Sequence, residues 1–497
     1  MNTLARDTAH GYFWNQLAVT LDGLTLLLSS IIVGRMLGAE SLGLFGWILS
    51  AVGLLTITAG LGIKEAVNIL LPPLSSDPSS SAGLFRLCLL VRSASAVLAG
   101  IVLTALLLFL KGNLTSTACA VSLYLVFSLT AGLLSAFNIA LFQTRILALG
   151  RLLSSLLTLL LIALASASRS MPLVFASLAL GSLSASAVFF LPLSRFTRGP
   201  STPFPPRRLL SLGLALWLIS ILNYLLAAQA APLILRFVRL SPSDIGLFTA
   251  AFVIAASANR ALMSGFSNVT LASFSKAWSE AGDESLSPIY SLYIRVAAAL
   301  GVPVLLGVIV FSPLLVRLPL KAGSPDASLA CVVLASFFLV GRLFGGGAHS
   351  TALYASGLHL PGLAIRSAFA FLCVVSTALA ALKYGILGAS FASGASGAAV
   401  ILAELFFLRR RRNLPMPWSS LIRLSSLCGA VALVSRLILS LGGLFSLLFS
   451  SLVFLCGSLL ALSIARPLSH GETALLSLPP RLASLALIFE RRRRDEC

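Results

Sequence analysis

The segment Arg35 to Phe45, RMLGAESLGLF, recurs in similar form as Val238 to Phe248, VRLSPSDIGLF, after a spacing of 203 residues. Two further pairs share that spacing: Trp14 with Trp217, and Arg92 with Arg295. The members of each pair have the same place in their apolar stretches, which predicts a duplicated unit of six helices. Because six is even, both copies enter a membrane in the same orientation. A substrate site is therefore expected between two parallel repeats.

Apolar stretches continue along almost the whole chain. Its 497 residues are 58% hydrophobic and 10% charged, with a mean hydropathy of +1.01. A soluble domain carries about 25% charged residues, and a membrane span needs about 20 apolar residues. Suitable stretches lie at about 12–34, 42–63, 87–110, 117–140, 152–168, 173–194, 209–235, 245–267, 289–316, 327–348, 362–382, 386–408, 420–440 and 443–465. We predict an all-α polytopic membrane protein with about 14 transmembrane helices.

The repeat and the polar segments predict how the chain is organised. A Pro- and Arg-rich linker, Arg195 to Arg208, separates the two copies. We expect an N-lobe of six helices at 1–208, a C-lobe of six at 209–412, two further helices at 413–466 and a basic tail at 467–497. Within that tail, Pro480 to Arg494 is too short to span, and we predict an interfacial helix whose arginines meet anionic lipid headgroups.

The net charge of +20 follows membrane topology rather than nucleic-acid binding. The basic residues stand at the ends of apolar stretches, and most of them fall on cytoplasmic flanks when the N-terminus is cytoplasmic. An even number of spans then places the C-terminus in the cytoplasm too. The seven cysteines are scattered, and the four histidines are far apart in sequence. We therefore expect no disulfide frame, metal site or cofactor, and the chain carries no motif of an enzyme.

Five segments carry a resemblance to a known family. They are Gly34 to Phe45 (GRMLGAESLGLF), Ala59 to Gly62 (AGLG), Lys64 to Pro73, Phe274 to Arg295 (FSKAWSEAGDESLSPIYSLYIR) and Tyr384 to Ser390 (YGILGAS). In this order along most of the chain, they resemble the oligosaccharide flippase, or polysaccharide transporter, branch of an exporter superfamily. That superfamily, the multidrug/oligosaccharidyl-lipid/polysaccharide (MOP) exporters, also contains multidrug extruders and the lipid II flippase.

The resemblance implies both an architecture and an activity. It implies two six-helix lobes around a central cavity, often with two extra C-terminal helices, in the bacterial inner membrane. It also implies flipping of an undecaprenyl-diphosphate-linked oligosaccharide from the cytoplasmic to the outer leaflet during surface polysaccharide biosynthesis. The expected partners are that lipid-linked substrate, membrane lipids, a coupling proton or sodium ion, and a glycan polymerase or assembly machinery.

Charged residues inside spans are expensive and therefore candidates for function. Asp22 lies about 15 Å into the first span, counting 1.5 Å per residue. It is predicted either to couple transport to a cation or proton, to neutralise a cavity arginine, or to make a structural hydrogen bond between helices. Arg260, in the eighth span, offers the planar fork that binds a diphosphate. The resemblance supports this role, because the lipid II flippase also has a cavity arginine on its eighth helix. Alternatively, Arg260 is a snorkelling or structural arginine paired with Asp22.

Other polar residues of the spans leave two interpretations open. Arg92 and Arg295 lie near the cytoplasmic ends of their spans, where they either snorkel to the interface or guide anionic headgroups inward. Asn223 and Gln229, on the seventh span, bind sugar hydroxyls or join neighbouring helices. Glu404 lies one turn before Arg409 to Arg412 and is expected to pair with that run.

Short helix-to-helix connections also carry predictions. Ser41 and Asp244 precede Gly-Leu-Phe and are expected to cap the following helix. Gly43 and Gly246 are expected to let neighbouring helices approach closely.

The alternatives to a flippase come from different classes. A multidrug extruder of the same superfamily would carry more acids in its cavity and usually lacks the last two helices. A membrane-embedded glycan polymerase would need a sizeable outer loop with catalytic residues, and the outer loops here are short. A non-catalytic scaffold is the third alternative.

Overall fold

The computed structural model describes residues 2–469 and 490–491, apart from 75–76, 111–114, 142, 199, 262–273, 275–277, 279–281 and 322. The helices are α1 Asn2–Leu37, α2 Ala39–Thr58, α3 Ile63–Leu74, α4 Pro78–Leu110, α5 Thr115–Ala140, α6 Thr144–Ala167, α7 Met171–Phe190, α8 Arg195–Arg198, α9 Pro206–Leu226, α10 Ala231–Phe237, α11 Pro242–Ala261, α12 Asp283–Val316, α13 Pro325–Leu343, α14 Ala348–Ala355, α15 His359–Arg412, α16 Trp418–Ser440 and α17 Gly443–Ala465. Two 3₁₀ turns, Leu191–Leu193 and Ala228–Ala230, and a two-residue parallel pairing of β1 Leu468–Ser469 with β2 Glu490–Arg491 complete the described elements.

The described helices agree with the predicted fold class. Twelve of them are long and apolar enough to cross a membrane. One of the twelve, α15, holds two spans because Gly385 interrupts it with φ 59° and ψ −141°, a conformation that glycine adopts at little cost. Counting α15 twice and adding α11 gives fourteen, in the predicted order. The all-α polytopic architecture is confirmed.

Packing divides the chain into two compact units. The first unit is Leu17–Ala250 with Pro319–Lys321, and the second is Met1–Gln16, Ala251–Leu318 and Ala322–Cys497. These boundaries follow contacts rather than the sequence repeat, so the predicted division into lobes at Arg208 stays a prediction. The predicted interfacial helix at 480–494 lies outside the described residues, apart from the two residues of β2.

Two repeat-related glycines of the first unit meet where α2 and α11 cross. A Cβ atom on Gly43 would lie 1.8 Å from the carbonyl oxygen of Pro242, and one on Gly246 would lie 1.9 Å from that of Ala39. Ala39 begins α2 and Pro242 begins α11, so the two contacts are copies of each other at the repeat spacing. The predicted close approach at these glycines is confirmed, and it relates the two copies by a local twofold symmetry.

The cap at the start of α11 differs from the predicted one. Ser241 accepts a hydrogen bond from the backbone N–H of Asp244 at 3.1 Å and donates its hydroxyl to the Asp244 carboxylate at 2.7 Å. Ser241 is thus the capping residue, and the Asp244 carboxylate accepts the hydroxyl of the cap instead of capping the helix itself. The expectation for Ser41 was wrong, because α2 begins two residues earlier at Ala39 and no side chain caps it.

The linker between the copies is fastened to the first unit by Arg86 on α4. Its guanidinium donates to the carbonyl oxygens of Phe196 and Thr197 at 3.3 and 2.9 Å, and to the Ser201 hydroxyl at 2.8 Å. One helix turn earlier, Gly83 leaves room for the Thr202 carbonyl, which a Cβ atom would meet at 1.9 Å. The linker is therefore a strap across the start of α4.

Arg436 of α16 reaches the proline-interrupted helix α12 of the second unit. Pro313 has no N–H, and its ring crowds the carbonyls of the preceding turn. Ser312 donates its hydroxyl to the carbonyl of Ile309 at 3.1 Å, and Arg436 donates to that of Val310 at 3.0 Å. This intramembrane arginine therefore joins the first of the two extra helices to the bundle.

The second unit has a buried core around Tyr290 of α12 and His349 of α14. Both residues are fully buried, and the Tyr290 hydroxyl lies 2.8 Å from Nδ1 of His349. The other ring nitrogen of His349 bonds the carbonyl of Phe344. Burial lowers the pKa of His349 to about 4, so the ring is neutral near pH 7. This pair holds α14 against α12 just after the glycine turn Gly345–Gly347.

Replacing Tyr290 by phenylalanine is expected to lower the stability of the purified protein by about 1–3 kcal/mol, because Nδ1 of His349 would be left buried without a partner. Thermal unfolding in detergent measures the effect. Tyr384→Phe is the matched control, because that tyrosine is 63% exposed. Equal melting temperatures for Tyr290→Phe and the control would contradict the assignment.

Candidate functional site

Asp22 of α1 forms an ion pair with Arg151 of α6 in the first unit. The distance from Oδ1 of Asp22 to Nη1 of Arg151 is 3.3 Å, and the side chains are 45% and 25% exposed. One of the roles predicted for Asp22 was that of counter-ion to an arginine. The structure supplies such an arginine, but it is Arg151 and not the Arg260 that the sequence suggested. Sequence reasoning missed Arg151 because its apolar stretch was taken to begin at residue 152, whereas α6 begins at Thr144.

Local packing places Arg151 where it can reach Asp22. Gly150 brings α6 so near to α7 that a Cβ atom would lie 2.4 Å from the ring of Phe189. The guanidinium of the next residue, Arg151, then lies over that ring, 5.5 Å from its centroid, in a cation–π contact. The Phe189 ring packs against one face of the Arg151 guanidinium, and the Asp22 carboxylate pairs with its Nη1.

Four more polar side chains surround this pair. Asp22 also interacts electrostatically with Lys64, which in turn interacts with Glu65, Arg92 and Arg151. Tyr124 of α5 lies within the field of both members of the pair. Lys64 and Glu65 belong to α3 and Arg92 to α4, so five helices of one unit contribute. We call Asp22, Lys64, Glu65, Arg92, Tyr124 and Arg151 the charge cluster. It holds three cations and two carboxylates.

Arg92 is buried inside the charge cluster rather than extended to a membrane interface. Its side chain is 4% exposed, and its Nε donates to the carbonyl of Leu129 on α5 at 3.0 Å. Gly60 and Gly132 make the space, because Cβ atoms there would lie 3.1 and 3.8 Å from its terminal nitrogens. Among the described residues, Nη1 of Arg92 has no hydrogen-bond partner. This burial does not fit the predicted snorkelling, and the predicted guidance of anionic headgroups stays a prediction.

The polar residues predicted on the seventh span lie at a helix break. Helix α9 ends at Leu226, and Ala227 has extended backbone angles of −77° and 137° before a 3₁₀ turn. Asn223 is exposed in the last turn of α9, and Gln229 is in the 3₁₀ turn. The carbonyl of Gln229 accepts the Ser50 hydroxyl of α2 at 2.9 Å. In secondary transporters, interrupted helices of this kind line substrate sites.

The predicted arginines of the second unit have separate surroundings. Arg260 is partly buried in the last turn of α11. The residue before it, Asn259, is bonded to Arg342 of α13. Nε of Arg342 donates to the side-chain oxygen of Asn259 at 2.8 Å, and Nη2 donates to the backbone carbonyl of Asn259 at 2.9 Å. Gly301 of α12 leaves room for the stem of Arg342. The structure thus brings a second arginine beside Asn259–Arg260, which sequence spacing alone could not show.

Arg295, the repeat counterpart of Arg92, is bonded to backbone oxygens. Its Nε donates to the carbonyl of Ser291 at 3.3 Å, and its Nη1 to that of Pro467 at 3.5 Å. The two repeat-related arginines therefore differ in their use, since Arg295 ties the end of α17 to α12.

Glu404 pairs with Arg366, and the predicted pairing with Arg409 to Arg412 was wrong. Nε of Arg366 lies 2.6 Å from Oε1 of Glu404, and the side chains are 12% and 2% exposed. Helix α15 folds back at Gly385, which brings its first half beside its second half. Glu404 therefore pairs with an arginine 38 positions earlier in the sequence instead of with the nearby run Arg409 to Arg412.

The described part of the chain contains no group of three or more His, Cys, Asp or Glu side chains that could hold a metal ion. No family model matches the chain, and no curated protein matches it.

Solved structures of transporters resemble this fold. An inward-facing multidrug resistance MATE family transporter of the MOP superfamily matches with a TM-score of 0.62 at 17% identity, covering 80% of this chain and 98% of that one. Its outward-facing counterpart matches with 0.62 at 18%, covering 82% and 96%. A MOP superfamily transporter from Pyrococcus furiosus, described by a reverse polarity of its binding pocket that suggests a different function, matches with 0.62 at 17%, covering 82% and 96%. The chain has a MATE-like transporter fold.

Proposed function

We propose that the protein is an alternating-access flippase that moves an undecaprenyl-diphosphate-linked oligosaccharide from the cytoplasmic to the outer leaflet for surface polysaccharide synthesis. The observation that carries the proposal is the polarity of the charge cluster, where the cations of Lys64, Arg92 and Arg151 outnumber the two carboxylates. An anionic headgroup suits this polarity better than an organic cation does. The transporter fold supports the proposal, because similar proteins are known in inward-facing and outward-facing forms.

In this proposal, each predicted residue has a role. Arg92 and Arg260 each offer a planar fork that binds phosphate, and Arg295 attracts the headgroup at the cytoplasmic end. Asn223 and Gln229, at the break between α9 and α10, bind sugar hydroxyls, while the polyprenyl tail stays in lipid. Asp22 couples the cycle to a proton or sodium ion. The protein is placed in the bacterial inner membrane, with both termini in the cytoplasm.

The second candidate is a cation-coupled multidrug extruder of the same superfamily. The fold supports it equally, since the similar structures include multidrug transporters. One local observation favours it, namely that the Asp22 carboxylate is 45% exposed and so accessible to an organic cation. The Pyrococcus protein is described by a reverse polarity of its binding pocket that suggests a different function.

A strain that lacks the protein distinguishes the two candidates. We expect lipid-linked glycan to accumulate on the cytoplasmic face, surface glycan to disappear, and drug susceptibility to stay unchanged. The wild-type gene should restore surface glycan, whereas Arg92→Gln and Arg260→Gln should restore less than a tenth of it at equal protein levels. Arg423→Gln, at an exposed position of α16, is the control. Normal surface glycan with increased drug susceptibility would contradict the flippase proposal and support the multidrug extruder.

A further inference from the structure

We infer that Arg92, Arg151 and Lys64 form a phosphate-binding site in the first unit, in which Asp22 is a built-in anion that the substrate's phosphate displaces from Arg151. The inference rests on the proposed function and adds to it two residues and an exchange step. It concerns phosphate groups of any source, and a lipid diphosphate and free pyrophosphate share the chemistry that the site would recognise.

The charge of the cluster decides between a cation site and an anion site. Lys64, Arg92 and Arg151 outnumber the carboxylates of Asp22 and Glu65. Arg151 and Lys64 interact electrostatically with Asp22, and Arg92 interacts with Glu65 and Lys64. While Arg151 is bound to Asp22, a metal cation that approached the carboxylate would meet that guanidinium and the lysine beside it, so coupling through Asp22 requires the pair to open first. An anion would instead meet an excess of donors, so the cluster is suited to an anion.

An unused donor indicates where the anion binds. Nη1 of Arg92 is buried and has no hydrogen-bond partner among the residues that the structure describes. A buried charged donor without a partner is costly, and Cβ atoms at Gly60 and Gly132 would lie 3.1 and 3.8 Å from the terminal nitrogens of this guanidinium. A phosphate oxygen supplies the missing acceptor, and arginine binds phosphate through short charge-assisted hydrogen bonds.

The ion pair of Asp22 and Arg151 has the length and exposure of a pair that a competing anion can break. Its atoms are 3.3 Å apart and its side chains are 45% and 25% exposed, whereas tight charge-assisted bonds are about 2.7–2.9 Å long. The pair of Arg366 and Glu404 in the same protein shows the closed alternative, with 2.6 Å and at most 12% exposure. A phosphate can therefore reach Arg151 from solvent, while the Phe189 ring keeps the guanidinium in place.

Binding of farnesyl diphosphate and of inorganic pyrophosphate to the purified full-length protein tests the inference. Titration calorimetry in detergent should show that Asp22→Asn binds both about tenfold more tightly than the wild type, because the internal competitor is gone. Arg151→Gln should bind both about tenfold more weakly, Arg151→Lys should recover part of the loss, and Arg423→Gln should match the wild type. Thermal unfolding of every variant confirms that it is folded.

The outcomes separate this inference from the proposed function. Unchanged or weaker binding by folded Asp22→Asn would overturn the displacement, and wild-type binding by Arg151→Gln would overturn the site. Either result leaves the flippase standing if lipid-linked glycan still accumulates in the strain without the protein. Conversely, tighter pyrophosphate binding by Asp22→Asn, in a protein whose loss leaves surface glycan normal, supports the phosphate site and sinks the flippase. Preference for farnesyl diphosphate over pyrophosphate identifies a lipid headgroup as the source, and the reverse preference identifies a free anion and overturns displacement by the lipid substrate.

Discussion

Replacing Gly43 by alanine is expected to reduce the proposed transport at least tenfold and to lower the melting temperature of the purified protein. The added methyl group would lie 1.8 Å from the carbonyl oxygen of Pro242 and 2.9 Å from the backbone nitrogen of Gly246. Both neighbours are backbone atoms of α11, so no side-chain rotation can relieve the overlap. The helices would have to separate along the crossing, with the loss of the close packing that small residues permit.

A neighbouring pair provides a sharp control for this prediction. A Cβ atom on Gly46 would overlap the side chain of Thr249, at 2.1 Å from its Oγ1, and these two positions are again 203 apart. We therefore expect Gly46→Ala to be impaired and Gly46→Ala with Thr249→Gly to recover, whereas no side-chain replacement in α11 should rescue Gly43→Ala. Gly429→Ala, which meets no atom within 4 Å, should behave as the wild type. Normal transport and stability of Gly43→Ala would show that the crossing tolerates separation.

The second large effect is expected at the buried pair of Arg366 and Glu404. Replacing Arg366 by leucine leaves a carboxylate that is 2% exposed without its cation. Breaking a buried pair from one side costs about 3–5 kcal/mol, because the remaining charge is neither solvated nor neutralised. We expect Arg366→Leu to unfold at a much lower temperature and to accumulate poorly in the membrane.

Removing both charges should restore most of the loss. The double variant Arg366→Leu with Glu404→Gln leaves no isolated charge, so its stability should lie near that of the wild type. The four proteins form a double-mutant cycle whose coupling energy isolates the pair. A loss of stability in the double variant equal to the sum of the two single losses would give zero coupling energy, and would mean that the pair contributes nothing.

The positions of the helices could be predicted from the sequence better than the side-chain pairs that form between them. Hydropathy placed the break of α15 within a few residues of Gly385, and the repeat identified Gly43 and Gly246 before any contact was known. Both signals are local or periodic, so a single chain is enough to find them. The similarity in fold to transporters likewise agrees with the arrangement that the repeat implied.

The pairings could not be predicted, because they depend on which helices become neighbours. Asp22 and Arg151 are 129 positions apart, and Arg151 looked like part of a cytoplasmic flank. Glu404 was assigned to the arginines nearest in sequence, although a helix that folds back offers a closer one. Arg92 seemed near enough to the span end to snorkel, and only the packing of Gly60 and Gly132 around it shows that it stays inside.

The crossing of α2 and α11 has a consequence for the history of the chain. Each copy presents the same glycine and the same helix-start carbonyl to the other, which is the isologous geometry of a symmetric homodimer. A half-length ancestor with this segment would have possessed a ready interface to a second copy of itself, before the strap from Arg195 to Arg208 joined them. In a chain that arose in this way the two halves are free to differ, and at the equivalent positions 46 and 249 one half has glycine where the other has the threonine that packs against it. At positions 43 and 246 both halves have glycine, so the same residue makes the close contact on each side of the local twofold axis.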